Sequence, residues 1–276
     1  ISSVITIIED NLIEKMRSYY YPLIAEVYHP ITPKETDYRA KRITDYLNLV
    51  NRIVNQQIEA LRSAPFEAGS EINKYFEMLP EDHRLKHMYR QMTKANNLPE
   101  TKEIEGYLRS QIRPGRIDVN IMTKIDRNKY TKDGECVEDG SDAVSALRGY
   151  VKSDLVNSAV VFSAGLNPRV YSYLENCNAF DANENGEFVK KIIVKVSDYR
   201  SALIQGKYLA KKGIWVSEFR IESGLNCGGH AFATEGYLLG PVLEEFKTNK
   251  KELIATLFEL YTIALQKKNS NRLASP

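Results

Sequence analysis

The chain has 276 residues, 43% hydrophobic and 27% charged, with 38 basic against 36 acidic side chains and a formal charge of +2. That is the make-up of an ordinary globular protein, long enough for one large α/β domain or two smaller ones. Closely interspersed charges of both signs give no electrostatic case for nucleic acid or an anionic membrane surface, and no run approaches the roughly 18 apolar residues needed to span a bilayer.

The N-terminus, Ile1 to Asp10, is apolar but short, with no basic leader and no small-residue cleavage site. A start at Ile1 rather than Met suggests processing or a piece of a longer chain. Cys136, Cys177 and Cys227 are an odd, scattered trio with no Cys-x-x-Cys pair. A disulfide framework or zinc ribbon is therefore not expected, and a reducing cytoplasm fits best.

The first 113 residues read as an all-helical region. Residues 1 to 20 suggest a helix stopped near Pro22. Thr36 to Ala64 places Ile43, Leu47, Val50, Val54, Ile58 and Leu61 at steps of three and four, an amphipathic stripe. Thr32-Pro33-Lys34-Glu35 ahead of it has the order of an N-cap, a first-turn proline and a capping-box glutamate. Shorter helices are predicted over 70–79, 81–95 and 100–111. His83 and His87 stand four apart on the second of these, a metal-ligand spacing. With only Glu81 and Asp82 adjacent, a solvated charged face is the better reading, and no metal site is expected.

The pattern changes at Pro114-Gly115, and residues 114–276 read as a second domain of alternating strands and helices. Arg116 to Lys124 sets Ile117, Val119 and Ile121 against Asp118 and Asn120. A polar loop runs through Lys132-Asp133-Gly134, and Ser141 caps a helix to about Lys152. Ser158–Ser163 is a second strand, followed by Ala164-Gly165-Leu166-Asn167-Pro168 and a helix to about Asn176. Lys191–Val196 is a third strand, with a helix over 198–211. Ile214–Ile221 is the fourth, and Lys250–Gln266 a closing helix. Four strands each leading into a helix imply parallel pairing with right-handed crossovers, and in such sheets ligand sites gather at the carboxyl ends of the strands.

That edge carries the chemistry. Lys195 sits one residue from the end of its strand, where it can meet a phosphate or another bound ligand, and Ser197 follows it. Glu222-Ser223-Gly224 leaves the fourth strand, and Gly228-Gly229 leads directly into His230. Two glycines let the backbone turn sharply and a flat ligand approach closely, and the imidazole exchanges protons near neutral pH.

In order, strand–Ser163-Ala164-Gly165, strand–Val194-Lys195-Val196-Ser197 and strand–Glu222-Ser223-Gly224-x-x-x-Gly228-Gly229-His230 resemble the nitronate monooxygenase (2-nitropropane dioxygenase) family. They also resemble the related flavin-dependent enoyl reductases. The resemblance covers about residues 116–235, and its glycine-pair-histidine motif is the most specific part. It implies an FMN-binding (β/α)₈ (TIM) barrel in which His230 is the catalytic base. Ser223, Gly224, Gly228 and Gly229 would then line the cofactor, and Ser163 and Gly165 the substrate side. Ser223 stands where the family usually has Gln or Glu. The family's Gly-Gly-Met opening loop and its two phosphate-gripping glycine loops have no counterpart here. The expectation is therefore a partial TIM barrel of about four β/α units, an oligomer or part of a longer polypeptide. Its function would be FMN-dependent oxidation of a small carbon acid in the cytoplasm, without nucleic-acid or membrane partners. The alternatives are a non-catalytic barrel scaffold and a flavin-dependent enoyl-thioester reductase.

Overall fold

The computed structural model describes residues 3–7, 9–95, 98–121, 126–162, 165–222 and 239–268. The chain divides into two compact units: Val50–Gly115, and Ser2–Leu49 together with Arg116–Pro276. The long helix α2 (Tyr38–Ser63) begins in one and ends in the other.

Val50–Gly115 is helical wherever it has regular structure, with α3 (Glu71–Glu77), α4 (Arg84–Lys94) and α5 (Leu98–Gln111) following the end of α2. Its core is Ile72, Phe76, Tyr89, Met92, Leu108 and Ile112. Phe76 stacks between Phe66 and Tyr89 with ring centroids 6.0 and 5.8 Å away. The Arg109 guanidinium donates to the carbonyls of Arg62 and Ala64, satisfying acceptors that the end of α2 leaves open. His83 lies just before α4 and caps it, its Nδ1 accepting from the Leu85 amide at 3.2 Å.

The other unit is built on five parallel strands in the spatial order β1 (Ser3–Ile7), β2 (Ile117–Ile121), β3 (Ser158–Phe162), β4 (Lys190–Val196) and β5 (Glu218–Ile221). The helix expected over residues 1–20 is corrected. β1 occupies its first third, and α1 (Asp10–Leu23) starts only after Glu9, whose carboxylate accepts from the Asn11 and Leu12 amides. The run Val4-Ile5-Thr6-Ile7 is β-branched throughout, which favours a strand once a partner is present. That partner is β2, 114 residues along the chain in the register Ile5↔Val119. A local periodicity argument cannot see it. Among the described residues the sheet therefore has five strands where four were expected. The capping-box residues precede α2 instead of opening it: Glu35 reaches back to the Thr32 amide in a separate turn, and the helix begins at Tyr38.

Between the strands run α6 (Asp142–Val151), α7 (Pro168–Leu174) and α8 (Tyr199–Ala210), with α9 (Leu239–Lys267) last. Ser141, Asn167 and Asp198 are their N-caps. Consecutive parallel neighbours joined by right-handed crossovers bring successive helices to the same side of a sheet, and the contacts agree. Tyr150 of α6 shares a hydrogen bond with Ser158 at 2.8 Å, Tyr171 of α7 packs edge-on against Phe162, and Gly206 of α8 leaves room for Leu257 and Phe219. Through the strand registers, Ile121, Phe162, Val194 and Phe219 fall on this one helix-covered face. Lys190 is buried on it as well, donating to the carbonyls of Tyr150, Val151 and Ser153 at 2.6–3.0 Å, so the end of α6 is closed by an ammonium.

Opposite lie Asp118, Asn120, Ala159, Val161, Ile193, Lys195, Glu218 and Arg220. Here β2 meets β5 across two intervening strands. Arg220 donates to Asp118 at 3.1 Å, and Arg116 donates to Asp118 at 3.0 Å and to Glu218 at 3.1 Å. Arg116 Nε and Asp118 Oδ1 are also 2.8 Å apart, though without hydrogen-bond alignment. Three strand spacings of about 4.8 Å each on a flat sheet would exceed the reach of an arginine and an aspartate standing side by side. The sheet is therefore curled with this face concave, and Ala159, with its single methyl, leaves the bridging side chains room beneath. Burial works against the Glu218 charge, but hydrogen bonds from Arg116 and Arg220 together outweigh it and hold its pKa below the usual carboxylate value.

Asp118 is 1% exposed and shared by two guanidiniums, so Asp118→Ala should leave both arginines without their common acceptor. A loss of about 3–5 kcal/mol is expected in urea unfolding. A loss below about 1 kcal/mol, the range of an exposed pair, would show that β2 and β5 are held by other means.

Candidate functional site

At the carboxyl edge the concave face offers three described polar groups. Lys195 Nζ lies 2.9 Å from Glu222 Oε1, and both side chains are about one-fifth exposed. The pairing follows from register. Lys195 stands opposite Arg220, the residue two further along β5's path is Glu222, and the Glu222 amide donates to the Val196 carbonyl. Because both side chains are largely buried, Lys195 can turn to a ligand only if the ligand supplies an acceptor in place of Glu222. The third group is Asn120, next to last on β2 and 7% exposed. Its amide nitrogen reaches Thr6 only at 3.5 Å, and its Oδ1 is buried without a hydrogen-bond partner among the described residues. A buried acceptor left unpaired costs about 1–3 kcal/mol, which a bound donor would recover.

The turns around this edge are fastened by side chains. Gly165, at φ +114°, makes a bend after β3 that a side chain would strain. Asn167 then accepts from the Val170 amide, with Pro168 in the first turn of α7. Asp126 holds the loop after β2, taking the Ala143 amide at 2.9 Å and the Asn167 side-chain amide at 3.3 Å. Ser197 Oγ donates to Asp198 at 2.8 Å, so its proton is committed to the cap of α8, while its lone pairs stay available.

Of the residues that the sequence marks, Lys195, Ser197 and Gly165 thus lie at one carboxyl edge, and Lys195 is engaged by Glu222. Ser163, Ser223, Gly224, Gly228, Gly229 and His230, with Cys227, fall outside the described residues. Burial raises the Cys177 thiol pKa to about 11, which leaves it a poor nucleophile. Among the described residues no group of three or more His, Cys, Asp or Glu is placed to hold a metal ion.

Asn120 and the Asp118 cluster are not marked as functional by sequence reasoning. The signal was present, however. A strand flanked by parallel strands on both sides normally reads as apolar throughout, so the alternation of Asp118 and Asn120 with isoleucine and valine points to a polar interior face.

Together these features define a mixed α/β protein whose all-parallel sheet is helix-covered on one face and polar on the other. No helix among the described residues is long and apolar enough to cross a membrane. Comparisons with protein-family models, with curated proteins and with solved structures find no match for this chain.

Asp198 gives this edge a measurable pH signature. Burial raises its pKa, but the Ser201 amide at 2.7 Å and the Ser197 and Ser201 hydroxyls outweigh that and hold it below the ordinary value. Stabilisation from a lowered carboxyl pKa is complete above the unfolded value of about 3.9 and is lost as pH falls through the folded one. Asp198→Ala should therefore cost about 1 kcal/mol near neutrality, and the gap to the parent protein should close in that acid range. A gap that stays constant through the acid limb of a pH–stability curve would remove the cap from the account.

Proposed function

We propose that the chain is an FMN-dependent oxidoreductase of nitronate monooxygenase type, its five β/α strands forming part of a TIM barrel with the reaction at their carboxyl edge. The observation that carries this reading is Asn120 Oδ1, next to last on β2 and without a hydrogen-bond partner among the described residues, on the same face as the Lys195–Glu222 pair, with Gly228-Gly229-His230 following Glu222 in the sequence.

These residues fit an isoalloxazine. Asn120 Oδ1 needs a donor, and the ring's imide N–H is one. Lys195 can leave Glu222 for a ring carbonyl oxygen and stabilise negative charge there. Ser223, Gly224, Gly228 and Gly229 would supply close-approaching backbone, and Ser197 an acceptor. When bound, FMN supplies a two-electron acceptor that oxygen or a second substrate can regenerate. The protein's own part is acid–base work and positioning. A neutral His230, with a reference pKa of about 6.5, takes the α-proton of a small carbon acid. Gly165 and Ser163 would line the substrate side.

The test is titration with FMN, following quenching of flavin fluorescence, and then turnover. Saturable binding is expected, and Lys195→Gln should weaken it about tenfold, the worth of one charge-assisted hydrogen bond. His230→Ala should keep the cofactor and lose about 10²–10⁴ in turnover of a nitronate, measured as oxygen uptake. Protein that does not quench added FMN would favour the scaffold reading. NADH oxidation driven by a crotonyl thioester, with no uptake on nitronate, would favour the acyl-chain reductase.

A further inference from the structure

The loop after β2 does more than connect. It folds back as a small hairpin, with a bridge between Tyr130 and Cys136 and the Val137 amide donating to the Lys129 carbonyl at 2.8 Å. Its base and the start of α2 enclose a cavity of about 190 Å³ bordered by Arg39, Lys129 and Arg148.

From these walls we infer a second ligand site, one that binds a phosphate-type oxyanion and is independent of the flavin reading. The charges are unevenly satisfied. Arg148 holds both oxygens of Asp37 at 2.6 and 2.8 Å. Arg39 is paired with Asp142 at 3.0 Å, yet its buried Nε, 3.5 Å from Asp10, makes no hydrogen bond. Lys129 forms no ion pair among the described residues; its ammonium sits 4.2 Å from the centroid of the Tyr38 ring. Burial and then the positive charge of Arg39 lower its pKa, the mark of a cation in want of an anion. Glu138, the other carboxylate of the wall, is exposed.

Two further donors converge here. Ser145 is 2% exposed and lines the cavity, and its hydroxyl has no hydrogen-bond partner among the described residues. Asp37 precedes α2 but gives both oxygens to Arg148, so the 26-residue helix opens on the cavity wall without a side-chain cap from that residue. A hydroxyl from α6, an ammonium from the hairpin and the first-turn amides of α2 arrive from three elements and suit a tetrahedral oxyanion. A flat carboxylate with two oxygens would leave part of the set unused. The walls are also held in shape: Asp37 and Asp139 both adopt positive φ, 54° and 50°, and Gly140 has no room for a Cβ against Val137.

The experiment is titration with inorganic phosphate at constant ionic strength, read by calorimetry and by thermal unfolding. Acetate and chloride form parallel arms. Saturable phosphate binding is expected, about tenfold weaker in Lys129→Ala, whose side chain makes no ion pair among the described residues, and also weakened in Ser145→Ala. Lys195→Gln should bind phosphate as the parent does, which keeps this result separate from the outcome at the flavin edge. Equal phosphate affinity in the parent and Lys129→Ala, equal binding of acetate, or loss of binding in Lys195→Gln would each overturn the assignment.

Discussion

One carboxylate, Asp118, sets the shape of the sheet. It is buried on a face that also carries Asn120, Lys195, Glu218 and Arg220, and the two guanidiniums that satisfy it come from Arg116, just before β2, and Arg220 of β5. An aspartate so deeply buried is tolerable only if its charge is met by opposite charge. Meeting it from both guanidiniums requires the sheet to curl until its second and fifth strands face one another. The helices on the convex side then pack on a face of isoleucine, valine and phenylalanine, while the concave side becomes a polar channel. Without the bridge, a five-stranded parallel sheet has no reason to bring Arg220 towards β2.

The channel is graded from end to end. Asp118 stands level with Ala159, and Asn120 level with Val161, Ile193 and Glu218, while Arg220 stands level with Lys195. The ionic cluster therefore runs obliquely across the face from the amino end of β2, shared, mutually neutralised and costly to disturb. Beyond it, at the carboxyl ends of β4 and β5, stands the Lys195–Glu222 pair. Stability at one end and adaptability at the other is the division of labour that parallel α/β sheets impose, because the strand ends that feed the helices carry the long loops.

Much of this was legible in the sequence, for reasons that particular residues make plain. α2, α6, α7 and α8 announced themselves through apolar spacing and the caps Ser141, Asn167 and Asp198, all local signals. β2, β3 and β4 were readable as β-branched runs leading into helices, and their parallel order followed from connectivity. β1 was not, because its five residues have the same apolar density as a helix start, and only β2, far along the chain, tells them apart. The ionic cluster failed to appear for the same reason: Arg116–Asp118 and Glu218–Arg220 each look like ordinary strand polarity until curvature joins them. At the edge, Lys195 could be placed from its position one residue before the strand's end, whereas its engagement by Glu222 depends on the register of β4 against β5. Asn120 was visible as a polar residue but not as an unsatisfied one.

A loop that merely connects is held by its ends, but the one after β2 is fastened at three points. Asp126 grips the first turn of α6 and the turn before α7, Asp142 takes Arg127 and Arg39, and Arg148 draws Asp37 against the hairpin. Each fastening is a charge-assisted bond to a helix start or to another loop, and none relies on apolar burial. Such contacts fix geometry without filling space, which is why a cavity persists among them. Polar fastening of this kind keeps donors pointed at open volume instead of at one another, and that is the condition under which an anion, and not a hydrophobic group, completes the structure.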